Sequence, residues 1–250
     1  MRKPSAEGLG GDQVEGRQAV WELLRAKRRT VRRIVMAEAL DSAEILDAIE
    51  REAQRQRVPL QLVSHARLDR EARTESHQGV VAFAERLRSV GLEQLLAHPK
   101  PFLLVCDGVT DPRNLGAMLR SADGAGVTGV VLPRHRSARI TPAVTKTAAG
   151  AVEYITFAEV GGVPSAVDQL NKAGVLTVGL AGEVKASLYD LDLGSTSVAL
   201  IVGGEQNGLS ALARKRCAVV VSIPQLGRVA SLNAGVALSV AAFEVARQRR

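Results

Sequence analysis

Three short segments of this 250-residue chain combine glycine or proline with side chains that donate or accept hydrogen bonds or carry charge. The first, Asp107-Gly-Val-Thr-Asp-Pro-Arg-Asn-Leu-Gly-Ala-Met-Leu-Arg120, sets Asn114 ahead of Arg120. The second, Gly203-Gly-Glu-Gln-Asn-Gly-Leu-Ser210, places the Glu205 carboxylate beside Gly203 and Gly204, a pair that lets a ligand approach the main chain. In the third, Ile223-Pro-Gln-Leu-Gly-Arg-Val-Ala-Ser-Leu-Asn233, Pro224 stops the preceding apolar run, and Ser231 and Asn233 stand where a final helix begins. One guanidinium, one carboxylate and three neutral hydrogen-bonding groups suit the binding and orienting of a polar ligand. Each has a structural alternative: Asn114, Ser231 and Asn233 as helix caps, the glycines as a tight turn, Arg120 as a surface charge. With Asn114 at the helix start, Arg120 is expected to face the same cavity.

No G-x-x-x-x-G-K-[ST] loop is present, and no G-x-G-x-x-G follows a strand, so phosphate-loop and dinucleotide-binding units are unsupported. His65, His77, His98 and His135 have no partnered Ser or Cys nucleophile and read as surface or capping residues, which argues against a hydrolase. Neither Cys106 nor Cys217 has a second Cys or His at metal-ligand spacing. Both read as small core residues in buried strands, and no metal is expected.

The three segments each follow or adjoin a near-continuous apolar run. Such runs occur at Phe102–Cys106, 129–132, 175–180, 198–202 and 219–223, separated by helix-length stretches. This pattern predicts a parallel sheet covered on both faces by helices, with ligands bound beyond the carboxyl ends of the strands. A last helix is expected over 231–249. Upstream, helix patterns at 16–26 and 42–57 alternate with strand patterns at 33–37, 60–63 and 79–84, giving a smaller α/β unit. The expected division is a flexible tail over 1–13, a domain over 14–90, a linker over 91–100 ending in His98-Pro-Lys-Pro101, and a second domain over 101–250.

Hydrophobic residues at 46% and charged residues at 24% describe a globular chain, and no apolar run is long enough to cross a bilayer. The N-terminus lacks the apolar stretch of a signal peptide, which predicts a cytoplasmic protein. A formal charge of +7 favours a polyanionic partner, and the basic residues gather in two places. Lys27, Arg28, Arg29, Arg32 and Arg33 form one group, and Arg134, Arg136 and Arg139, with Lys146 beyond, form the other. Each is a candidate RNA contact or a solvated charged face.

Taken together, DPRNLGAMLRSADGAGV, ALIVGGEQNGLS and SIPQLGRVASLNAGVALSVAAFEVARQR resemble the three signature motifs of the SpoU (TrmH-like) family of RNA ribose methyltransferases, within the SPOUT superfamily. PRHRSARITPAVTKTAAGAVEY resembles the family's linking segment, and EGRQAVWELL with SHQGVVAFA resembles its substrate-binding domain. The arrangement is most similar to the subgroup that methylates a guanosine of 23S rRNA. The resemblance implies an α/β catalytic domain with a deep trefoil knot, preceded by a small α/β substrate-binding domain. It also implies S-adenosylmethionine held through Gly182, Gly203, Gly204, Ile223 and Leu232, and a homodimer whose active site the second subunit completes. The implied functional residues are Asn114, Arg120, Glu205, Ser231 and Asn233. Arg120 would activate the 2'-hydroxyl, either as base or by positioning a phosphate and lowering the hydroxyl pKa. Glu205 would steer Arg120 or support the dimer. The same motifs leave room for tRNA guanosine or rRNA adenosine as substrate, and a noncatalytic RNA-binding or ribosome-assembly protein is the alternative from another class.

Overall fold

The computed structural model describes residues 8–38, 40, 43–135, 137–228 and 231–250. The chain divides into two compact units, Met1–Ser89 with Arg139–Tyr154, and Val90–Ala138 with Ile155–Arg250. Its elements are, in chain order, β1 (Gln13–Glu15), α1 (Arg17–Ala26), β2 (Val31–Ala37), α2 (Glu44–Arg55), β3 (Leu60–Val63), α3 (His65–Glu71), β4 (Val80–Ala84), β5 (Ser89–Val90), α4 (Leu92–Leu96), β6 (Phe102–Asp107), α5 (Pro112–Gly124), β7 (Gly129–Pro133) and α6 (Pro142–Thr147). There follow β8 (Phe157–Val160), α7 (Val163–Lys172), β9 (Leu176–Leu180), β10 (Val198–Gly203), α8 (Ala211–Arg216), β11 (Val219–Val221) and α9 (Ala234–Gln248), with single 3-10 turns after α6 and β9.

The first unit is a four-stranded sheet in the order β1-β4-β2-β3. β2 and β3 are parallel, and β4 runs antiparallel to β1 and β2. Successive β2 side chains point to opposite faces. Ile34 and Met36 therefore enter a core with Val20, Leu23 and Leu24 of α1 and Ile49 of α2, while Val35 and Ala37 pack with Leu68 of α3 on the other face. The expected tail is corrected for residues 8–13: Leu9 is buried, Gly10 bridges Ile140, and Gln13 begins β1.

The segment Arg139–Tyr154, read from sequence as part of the second domain, packs in this first unit. α6 buries Pro142, Val144 and Thr145, and beyond it Gly150 turns at φ 86° where a Cβ would strike Glu22. Glu153 then makes a buried ion pair with Arg29 at 2.5 Å.

In the second unit six strands run parallel in the order β11-β9-β10-β6-β7-β8, with β5 at the edge beside β8. β6 and β10 are apolar and buried over nearly their whole length because helices cover both faces. Leu103, Val105, Ala199 and Ile201 share a core with Ala166 and Leu170 of α7 and Ala213 of α8, while α9 packs against α5 and β10. Cys106 is fully buried in β6, and burial pushes its thiol up to about 12. Cys217 is not in a strand as expected but follows α8 at its C-cap, half-buried, with its thiol pushed up to about 11 by burial. No helix among the described residues is long and apolar enough to cross a membrane.

Candidate active site

β6 delivers Asp107 to the carboxyl edge of the second sheet, where it fixes the loop after β10 at both ends. Its carbonyl accepts from the Gly204 amide at 3.0 Å, and its carboxylate accepts from the Ser210 amide at 2.7 Å. Inside that loop a Cβ on Gly203 would overlap Gly208, and one on Gly204 would overlap the Gly108 carbonyl. Only glycine allows these backbones to approach so closely.

Asp111 caps α5 by accepting from the Arg113 amide at 2.9 Å, with Pro112 in the first turn. The expectation that Asn114 is the cap is thereby corrected: Asn114 lies inside the helix and points to the neighbouring loops. Its Nδ2 donates to Glu205, and its Oδ1 accepts from Asn233 Nδ2 at 2.9 Å. Asn233 in turn caps α9, its Oδ1 accepting from the Gly235 amide at 2.8 Å and the Val236 amide at 3.3 Å. Three of the five expected functional residues thus form one hydrogen-bonded chain, from Glu205 through Asn114 to the start of α9. Ser231 is not a cap; it lies on the wall of the adjoining cleft.

That cleft, of about 350 Å³, is bounded by the loops after β9, β10 and β11. Gly182, Gly203, Gly204, Ile223 and Leu232, the five residues the family resemblance implied as cofactor contacts, all line it. Leu180, Val202, Leu209, Val221 and Ile223 make one side apolar, whereas Glu183, Glu205, Asn207 and Ser231 supply polar groups. Sequence reading missed Glu183 and Arg214, which form an ion pair on the cleft wall. The hydrogen bond from Arg214 holds the Glu183 carboxyl below the usual carboxylate range. The adjacency of Glu183 to Gly182 was the available signal.

Arg120 does not join this cluster. Six residues advance about 600° around a helix, so its side chain leaves α5 about 120° from that of Asn114. It is exposed, has no hydrogen-bond or ion-pair partner among the described residues, and does not line the cleft.

The basic residues divide between structural and exposed roles. Arg29 is buried, pairing with Glu153 and donating to the Glu85 carbonyl at 2.5 Å and to that of Gly11, so it is a structural cation rather than an RNA contact. Lys27 lies 3.3 Å from Glu52, and Arg33 lies 2.9 Å from Glu71 and over the Phe83 ring. Arg28 donates to the carbonyls of Glu153 and Tyr154, and Arg139 to that of Gly8. Arg32 on β2 and Arg134 beyond β7 are exposed; Arg136 lies outside the described residues. His77, expected as a surface or capping residue, is buried, with Nε2 2.8 Å from Asp69 and Nδ1 accepting from the Gly79 amide.

Residues 101–243 match the SpoU rRNA Methylase family, and residues 13–90 match a domain described as RNA 2'-O ribose methyltransferase substrate binding. The chain is 42% identical over 211 residues to the 23S rRNA (guanosine-2'-O-)-methyltransferase RlmB of Shewanella oneidensis, covering 83% of this chain and 85% of that protein. With the protein of the same name from Pseudomonas putida it shares 38% identity over 245 residues, covering 96% and 97%. Among solved structures, the SpoU methyltransferase AviRb of Streptomyces viridochromogenes in complex with AdoMet superposes with a TM-score of 0.77 at 23% identity, covering 95% of this chain and 90% of that one, and so shares the fold. A structure described as an RNA 2'-O ribose methyltransferase superposes at 0.76 with 25% identity, covering 95% and 88%.

Proposed function

The chain belongs to the SpoU rRNA methylase family, and from that membership we propose that it transfers a methyl group from S-adenosylmethionine to the ribose 2'-hydroxyl of a guanosine in 23S rRNA. The observation that carries this reading is the Glu205–Asn114–Asn233 chain, which sets oriented polar groups beside a cleft containing every expected cofactor contact.

The cleft fits the cofactor's chemistry. Its glycines at 203 and 204 expose backbone to a ligand, its apolar side suits an adenine ring, and Glu183, Glu205, Asn207 and Ser231 suit ribose hydroxyls and cationic groups. When bound, S-adenosylmethionine supplies a methyl group on a positively charged sulfur, which leaves as a neutral thioether. The chain's own residues must orient the 2'-hydroxyl and help it lose its proton. Asn114 and Asn233, locked to each other and to α9, hold fixed donors and acceptors for that purpose. A guanidinium offers donors and no acceptor, so the role of Arg120 is to position the adjacent phosphate and favour the ionised hydroxyl electrostatically.

Because Arg120 points away from its own cluster, this reading completes the site with a second copy of the chain. α9 carries an apolar stripe of Val236, Val240 and Phe243, with Val236 and Phe243 about half exposed, which suits a homodimer seam. The reading also includes a trefoil-knotted second unit, as the family resemblance implies. It places the protein in the cytoplasm.

The test is incubation with tritiated S-adenosylmethionine and, separately, unmodified 23S rRNA, 16S rRNA and bulk tRNA. Label at a single guanosine of 23S rRNA is the expected result. Label only in tRNA overturns the substrate, and label in none overturns the enzymatic reading.

A further inference from the structure

A second cleft, of about 570 Å³, opens on the other side of the loop after β10, over the carboxyl ends of β6, β7 and β8. The two clefts share a wall: Gly204, Glu205, Asn207 and Gly208 line both. A group bound in the second cleft is therefore separated from the first only by a loop that Asp107 clamps at both ends. Its lining is unlike that of the first cleft. The rings of Pro133 and Pro164 offer apolar surface, and Asp107, Thr110, His135, Gln206 and Ser210 offer hydrogen-bonding groups. Gly161 lines the cleft and is exposed, and a Cβ there would meet no atom within 4 Å.

Apolar walls with convergent polar groups suit a nucleobase, and the volume suits one nucleotide. A base in a folded RNA must leave its stack before chemistry at its own nucleotide can be enclosed, and the enzyme must then hold it. We propose that this second cleft receives the extruded base of the target nucleotide and reads it as guanine, holding its ribose at the Glu205–Asn207 wall. The inference rests on the methyl-transfer reading above. Asp107 is the base-reading group in this proposal: it lines the cleft, one carboxylate oxygen accepts from Ser210, and the other is left to accept from the N1–H edge of guanine. Adenine has no N1–H to offer.

The test fills the cleft from Gly161. This residue does not have a positive φ, so Gly161→Trp can bring a ring to the cleft without backbone strain. Affinity for S-adenosylhomocysteine, by titration calorimetry, is expected to stay within about twofold of wild type in Gly161→Trp, reporting an intact first cleft and an intact fold. Turnover of a 23S rRNA fragment by the same variant is expected to fall roughly a hundredfold or more. Replacing the target guanosine by adenosine is expected to lower wild-type turnover by roughly a hundredfold, because the Asp107 acceptor loses its donor. Wild-type turnover by Gly161→Trp overturns the cleft assignment, and equal turnover of the adenosine substrate overturns the guanine readout. If wild type methylates no RNA at all, it is the underlying function that fails.

Discussion

Asn233 Nδ2 donates a 2.9 Å hydrogen bond to Asn114 Oδ1 across 119 residues of chain. The bond couples the first turn of α5 to the cap of α9, and through Asn114 Nδ2 it reaches Glu205. Asn233→Ala removes both the cap and the link. It is expected to lower unfolding stability by about 1 to 2 kcal/mol, the usual cost of a lost cap with some added coupling. Asn114→Ala is expected to cost less, and the double variant less than the sum of the two. Urea unfolding of the four proteins checks this; strict additivity would mean the two side chains act independently.

The loop after β10 gives a sharper expectation for the cofactor. Gly204→Ala forces a methyl group against the Gly108 carbonyl, a backbone atom that cannot swing away. Affinity for S-adenosylhomocysteine is expected to fall at least about tenfold, equivalent to roughly 1.4 kcal/mol. Unchanged affinity by calorimetry would detach this loop from cofactor binding.

The basic cluster at 27–33 separates by role. Glu153→Ala strands the buried Arg29 guanidinium and is expected to destabilise the protein by about 3 to 5 kcal/mol. Arg32→Ala is expected to leave stability within about 0.5 kcal/mol and to lower the salt dependence of RNA affinity by about one unit of slope. Denaturant melts and RNA titrations at several salt concentrations distinguish the two effects.

Acid stability should depend on Glu244. Arg247 above all, with help from Gln248, pulls its carboxyl down to about 2 from the usual 4.5. A carboxyl depressed on folding stabilises the native state above about pH 4.5, and that contribution is lost as pH falls toward 2. Glu244→Gln is therefore expected to flatten the loss of stability over that window. An identical pH profile for variant and wild type would contradict the assignment.

The parallel sheet was legible in the sequence because burial on both faces leaves runs such as FLLVC and VALIV with no alternation to misread. The grouping of Gly182, Gly203, Gly204, Ile223 and Leu232 around one cleft was legible through the family resemblance of the loops that line it. Three things were not. β1 is only three residues long and is held by pairing with β4, a partner about 70 residues away. The placement of residues 139–154 depends on long-range contacts such as Arg29–Glu153, which no local pattern records. The cap of α5 was in fact available: Asp111 before Pro112 is the stronger start signal, and reading it would have put Asn114 within the first turn of the helix and turned Arg120 away from it.

The most direct test of the account is nucleoside mass spectrometry of 23S rRNA incubated with S-adenosylmethionine and either wild type or Arg120→Ala. The account predicts one 2'-O-methylguanosine per 23S molecule from wild type. It predicts close to none from Arg120→Ala, although both proteins bind S-adenosylhomocysteine to within a few fold. Methylation on a base rather than a ribose, or full activity in Arg120→Ala, would contradict it.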